Sequence, residues 1–270
     1  MKKTLITLLA LTGVAMAEFD SSSTILVSFG SNSGAGIAYE TGSFLQTNDN
    51  TYNVISTSGG DGYEAKEIKY ADGEIASGIS VAVNHAVSGA NGKVTTITGA
   101  TTVNKVFDTS LMSSVANHTG NTSITFKGLT VGDTYTMYVF IGRGNPYEDA
   151  MAAPTYTNSY TMSAGADDVV AKLVSYQVAT GYPEPTVSSD GTTITAFTQS
   201  CDNQNQTCEN WAIMSFEFKA TETNVTLNGA GSGTKNFGAV GLINTTVPEP
   251  ATATLSLLAL AGLAMRRRRK

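Results

Sequence analysis

Two cysteines, Cys201 and Cys208, are separated by six residues, and His85 and His118 are the only histidines in the chain. The cysteines could form a disulfide, hold a metal or supply a nucleophilic thiol. No histidine lies near them in sequence, and common zinc sites space their cysteines more closely. A disulfide over so short a loop would contribute about 2.5 kcal/mol by chain entropy. It would pin a polar loop beside a strand that begins near Trp211. A Ser-His-Asp triad would need His85 or His118, and each sits at the edge of a polar segment where a solvated loop histidine is the plainer reading. No H-E-x-x-H, G-x-S-x-G or G-x-x-x-x-G-K motif occurs.

Carboxylates offer a second kind of chemistry. Asp61, Glu64, Glu67, Asp72 and Glu74 cluster in sequence, as do Glu148 with Asp149 and Asp167 with Asp168. A carboxylate pair on either side of a sugar would hydrolyse a glycoside, whereas exposed loop charge is their ordinary role. Asp49, Asp61 or Asp72 could help hold a structural calcium ion through loop oxygens, but no EF-hand spacing is present and no metal ligand is assigned. For a carbohydrate ligand the loop at residues 142–149 is the better candidate, because Arg143, Asn145 and Tyr147 stand together after an apolar strand. Trp211, the only tryptophan, is a candidate platform or a core residue, and Tyr52 with Asn53 is a weaker choice.

The elements that must position these residues read as strands. Apolar or alternating segments at 23–30, 52–55, 75–83, 93–98, 123–129, 133–142, 168–179, 192–198, 211–219, 224–227 and 237–243 fit the strand period. Residues 133–142 are apolar on both faces, as a central strand buried on two sides requires. Asp61-Gly62, Asp72-Gly73, Asn91-Gly92, Asp190-Gly191 and Asn228-Gly229 are favoured tight-turn pairs. Only residues 108–116 have a helical pattern, with Asp108 as N-cap. Charged residues are 14 % of the chain, against about 25 % in typical domains, and Thr and Gly are abundant. The prediction is an all-β body, a single antiparallel β-sandwich over residues 18–246.

The ends differ from the body. The formal net charge of −6 hides seven basic residues at the termini: Lys2, Lys3, Arg266, Arg267, Arg268, Arg269 and Lys270. Residues 18–247 keep 9 basic and 21 acidic residues, a net of −12. Such a body repels phosphate backbones, which excludes nucleic acid as an expected partner. Lys2 and Lys3, an apolar run, and the small residues Ala15 and Ala17 around Met16 make the three-part layout of a secretory signal peptide over residues 1–17. At the other end Pro248-Glu249-Pro250 precedes a 15-residue apolar run and the basic cluster. As a helix that run spans about 22 Å, short of a hydrocarbon core of about 30 Å. The cluster would hold its end in the cytoplasm.

Pro248, Glu249 and Pro250, then the short apolar helix, then Arg266–Lys270, resemble the PEP-CTERM sorting tail. The resemblance covers residues 247–270. It implies a Gram-negative bacterium, export, transient inner-membrane anchoring through the C-terminal helix, and processing by an exosortase. The product would reach the cell surface or a polysaccharide matrix. Within the body the segments at 25–31, 52–53, 77–83, 124–143 and 238–244 resemble a galactose-binding-like β-sandwich, a jelly roll. Residues 129–135 resemble the tyrosine corner of fibronectin-type sandwiches, which implies that the Tyr135 hydroxyl locks a loop. The expectation is therefore a surface-sorted, non-enzymatic sandwich with no cofactor beyond a possible calcium, binding or scaffolding extracellular polysaccharide. Two alternatives stay open: a hydrolase acting on matrix glycan, and an adhesive or ice-binding surface. The latter would need a regular array of outward Thr, and the sequence shows no T-x-T repeat of constant period.

Overall fold

Alternation of apolar and polar residues sets the fold. The computed structural model describes residues 20–30, 44–47, 50–56, 62–84, 96–97, 116–118, 121–142, 157–178, 183–197, 201–202, 207–208, 211–231 and 235–246. Among them one seven-stranded sheet runs, in spatial order, β11 (Ala166–Gln177), β16 (Trp211–Ala220), β9 (Thr134–Gly142), β19 (Ala239–Asn244), β1 (Thr24–Gly30), β3 (Asn50–Ser56) and β2 (Phe44–Thr47). A second runs β12 (Thr186–Val187), β13 (Thr193–Phe197), β10 (Thr157–Ala164), β17 (Asn224–Gly231), β8 (Thr122–Lys127), β5 (Ser80–Val83) and β4 (Tyr63–Ala65). Two small ribbons join β14 (Cys201–Asp202), β15 (Thr207–Cys208) and β6 (Thr96–Ile97), and β18 (Lys235–Phe237) with β7 (Ala116–His118).

The two large sheets enclose one apolar core, the arrangement of a β-sandwich. The first sheet contributes Val27, Phe29, Met137, Val139, Phe216 and Val240, and the second Val81, Phe126, Tyr160, Ile194, Val225 and Leu227. Aromatic rings brace it: Tyr135 stacks on Phe218 at 5.8 Å and Tyr160 meets Phe237 edge-on at 5.6 Å. The other face of the first sheet is buried too, with Leu26, Tyr138, Phe140 and Ile213 at 2 % exposure or less. β9 is therefore the doubly buried central strand that its composition predicted.

The chain switches repeatedly between the sheets, and glycine makes the tightest switch. Gly165 alone connects β10 in one sheet to β11 in the other. Its φ is +71°, a Cβ there would collide with the Asn224 carbonyl oxygen, and its own carbonyl accepts the Thr221 N–H at 2.9 Å. Asn53 does the comparable work for a polar side chain. Buried in β3, it donates from Nδ2 to the Leu26 and Lys69 carbonyls, each at 2.9 Å, and accepts the Lys69 N–H at 2.8 Å. It fastens the segment leading to β5 against the first sheet.

Several expectations are corrected. The sheets are not wholly antiparallel: β1 and β3 run parallel, and residues 31–49 supply the crossover length such a pair requires. Asn228-Gly229 lies inside β17, where Gly229 pairs with both Thr122 and Tyr160. Residues 75–79 form no strand beyond an isolated bridge at Ile75, because Gly78 takes a φ of +80° before β5. β10 was not foreseen. Residues 1–17 and 247–270, where the signal helix and the tail helix were expected, lie outside the described residues, as do residues 108–115 of the helix expected over 108–116, whose last residue, Ala116, opens β7 instead. Among the described residues no helix is long and apolar enough to cross a membrane.

Candidate functional site

Two places carry arrangements beyond core packing: the chain's exit from the sandwich, and the outward face of the second sheet. The exit is prepared by the β8–β9 crossing. After Gly128 the chain turns through residues 129–133 and enters β9, and the Tyr135 hydroxyl accepts the Thr130 N–H at 3.0 Å. This is the tyrosine lock that the resemblance implied. Burial raises the Tyr135 hydroxyl above the ordinary phenol value, with the Thr130 hydrogen bond opposing the shift.

β19 ends directly beside this corner. Asn244 pairs with Tyr135 in register, and its Nδ2 donates to Asp133 Oδ2 at 2.9 Å. The Thr246 N–H returns to Asn244 Oδ1 at 2.9 Å. The Thr245 N–H donates to the Thr134 carbonyl at 2.9 Å, and the Thr134 N–H donates to Thr246 Oγ1 at 2.5 Å. Asp133 and Thr134 thus hold the last three residues of the body. A crevice of about 80 Å³ beside them, lined in part by Ser23, Tyr70, Leu129 and Asn244, is far below the roughly 300–1,000 Å³ of small-molecule sites.

The outward face of the second sheet is a field of hydroxyls. On β10, Tyr160 faces the core and Ser159 and Thr161 face out. On β13, Ile194 and Ala196 face the core and Thr193 and Thr195 face out. Register brings these into rows, with Thr161 beside Thr193 at 2.9 Å and Ser159 beside Thr195 at 3.1 Å between hydroxyl oxygens. The next strands extend the field through Thr226 bonded to Thr125 at 2.8 Å, whereas Ser123, opposite Asn228, is buried. Neighbouring strands lie about 4.8 Å apart, and outward residues repeat about every 6.8 Å along each strand. The charges at the β4 side neutralise one another: Lys127 Nζ lies 3.0 Å from Glu64 Oε2, and Ser80 donates to Glu64 Oε1 at 2.7 Å. The hydrogen bond from Ser80, then the bond from Lys127, holds the Glu64 carboxyl below its ordinary value.

The residues singled out from sequence are scattered. Trp211, a candidate platform, is 3 % exposed at the start of β16 and stacks on Phe140 at 6.5 Å, so it has no open face to offer a sugar ring. Tyr52 and Asn53 are each 1 % exposed and serve β3. Arg143, Asn145, Tyr147, Asp49, Asp61, His85, Glu148 and Asp149 lie outside the described residues. Asp72 accepts the Glu74 N–H at 2.9 Å in its turn. Asp167 and Asp168 are exposed at a bulge in β11, with Asp168 at a φ of +54°. Asp tolerates that conformation better than most residues. Among the described residues no three His, Cys, Asp or Glu side chains gather as a metal site. Cys201 and Cys208 are directly opposed in the β14–β15 ladder.

Sequence reasoning missed both the hydroxyl face and the hold on residues 244–246. For the first a signal was present: residues 157–163 alternate Thr, Ser, Thr and Ser at period two. No curated protein and no solved structure matches the chain. At its C-terminal end, beginning at the last residue held by β9, residues 246–270 match the PEP-CTERM protein-sorting motif, which marks an exported protein that an exosortase processes and sorts to the cell envelope or surface.

Proposed function

We propose that the sorted body is a non-enzymatic binder of neutral extracellular polysaccharide, and that it binds through the hydroxyl face of β13, β10, β17 and β8. The observation that supports this is the set of outward hydroxyl pairs, Thr161–Thr193, Ser159–Thr195 and Thr125–Thr226. Each hydroxyl can donate once and accept twice, so a pair that shares one bond keeps capacity for a partner above the sheet. A glycan chain presents a comparable series of alternating donors and acceptors. Among its described residues this face carries little charge beyond the Glu64–Lys127 pair, which suits a neutral glycan better than an acidic one. The ligand would lie along this surface.

The test is sedimentation of the exported protein with insoluble neutral polysaccharides, with an acidic polysaccharide as control. Thr161→Val, Thr195→Val and Thr226→Val together keep the side-chain shapes and remove three hydroxyls. Wild-type binding that the triple variant loses, at unchanged Tm, supports the reading. Absence of wild-type binding, or equal binding by the variant, overturns it. The same regular spacing favours a second reading, adhesion to an ordered water surface such as ice. Thermal hysteresis without glycan binding would select it.

A further inference from the structure

The sorting motif begins at Thr246, and Thr246 is still hydrogen-bonded to the body. Pro248 follows two residues later, so its Cα is at most about 7 Å from that of Thr246. Val247 alone separates the held residue from the Pro-Glu-Pro segment. A processing enzyme that cuts near Pro-Glu-Pro must accept chain on both sides of the bond, and the residues just before it are those engaged by Asp133 and Thr134. The Thr245 N–H and the Thr246 hydroxyl are turned toward β9. The Asn244 amide is spent on Asp133.

We propose that Asp133 and Thr134 form a strand-end clamp that controls tail processing, so that the exosortase acts on the fraction of molecules in which residues 244–246 have come away from β9. The proposal rests on the reading of the tail as an exosortase substrate. Thr245 and Thr246 are exposed, and terminal hydrogen bonds of that kind open locally without global unfolding. When such opening and closing is faster than cleavage, the rate follows the open population. The clamp is then a positioning device. Asp133 acts through Asn244 and touches no part of the tail that the motif covers.

The experiment follows shortening of the full-length chain in the producing cell by pulse-chase. Asp133→Ala removes the acceptor for Asn244 and leaves the tail sequence intact. It should speed processing by on the order of threefold to tenfold, the effect of one lost hydrogen bond of ordinary net strength. Inserting six Gly and Ser residues between Thr246 and Val247 should give a similar gain by moving Pro-Glu-Pro clear of the clamp. Asp133→Ala in the spacer background should add nothing, and this lack of addition is the readout that general destabilisation would not produce. Wild-type rates in both single variants overturn the clamp, as does a full additive gain in the combined one. Glu249→Ala separates the two failures. If it stops processing while the clamp variants have no effect, the sorting reading stands and the clamp falls. If the wild-type chain is never shortened, both fall.

Discussion

The Tyr135 hydroxyl accepts the N–H of Thr130, five residues upstream, at 3.0 Å. Its ring stacks on Phe218 from the adjacent strand. One residue therefore fixes both the β8–β9 turn and the start of the central strand. Tyr135→Phe keeps the stacking and removes the acceptor. A loss of about 1–2 kcal/mol is expected, read as a lower midpoint in urea with an unchanged slope. An unchanged midpoint would show that water replaces the hydroxyl at no cost.

Gly165 and Gly191 have the same φ of +71°, but a Cβ at Gly165 meets the Asn224 carbonyl while one at Gly191 meets nothing within 4 Å. The pair separates strain from collision. Gly191→Ala should cost about 1–2 kcal/mol, the penalty of a left-handed alanine. Gly165→Ala should cost several kcal/mol more and lower the yield of folded protein, because the one-residue switch between sheets has no room to shift. Chemical denaturation of both variants checks the order. Equal losses would mean that the Gly165 backbone can move aside.

Strands that carry apolar residues on both faces or in clean alternation were legible in the sequence. β1, β9 and β16 fall within one or two residues of their expected bounds. β10 was hidden because its outward positions are Thr, Ser and Thr and its inward ones include Asn158 beside Tyr160, so the hydropathic contrast between faces is weak. That weakness is the hydroxyl face itself. Asn228-Gly229 misled because the pair has turn chemistry, whereas Gly229 here stays in the strand, paired with Tyr160 on one side and Thr122 on the other. The hold on residues 244–246 joins positions 111 and 112 residues apart, and no local pattern reports such a contact. The sorting tail was legible because its recognition depends on the order of three short composition blocks and not on a fold.

Among the described residues two carboxylates have a lowered folded-state value and so contribute to the acid limb of stability. Glu64 is held below its ordinary value of 4.5 by Ser80 and then Lys127, and Asp190 below 3.8 by Ser188 and then Thr192. A depressed folded-state value means that the contribution is complete above the unfolded value and is lost as pH falls through the folded one. Stability should thus be level down to about pH 5 and decline below about pH 4. Urea midpoints of wild type and Glu64→Gln should differ at pH 7 and converge near pH 3. A gap that stays constant over that range would assign the effect of Glu64 to packing. Both groups are solvent-accessible, so the convergence will be small and weaker still in high salt.

Cys201 and Cys208 are register partners in an antiparallel ladder. Directly opposed residues in such a ladder have Cα atoms about 4.5 or 5.5 Å apart, and both separations lie inside the roughly 4.4–6.8 Å window of a disulfide. The sorting motif implies an exported destination, where paired thiols oxidise. The expected outcome is that the denatured exported protein shows no free thiol in a thiol-reactive dye assay. Reduction, or Cys201→Ser, should then lower stability by about 2.5 kcal/mol, a fall in Tm of about 5–10 °C. Trp211 supplies an internal control, because it is the only tryptophan and is 3 % exposed. β16 is paired over most of its length with both β9 and β11, and Trp211 has a register partner in each. Reduction of the native protein should therefore leave tryptophan emission unchanged and shift only the unfolding midpoint. Two reactive thiols in the exported protein, or a midpoint indifferent to reductant, would sink the disulfide. A red shift on reduction alone would instead mean that the ribbon of β14 and β15 helps to hold the start of β16 in place.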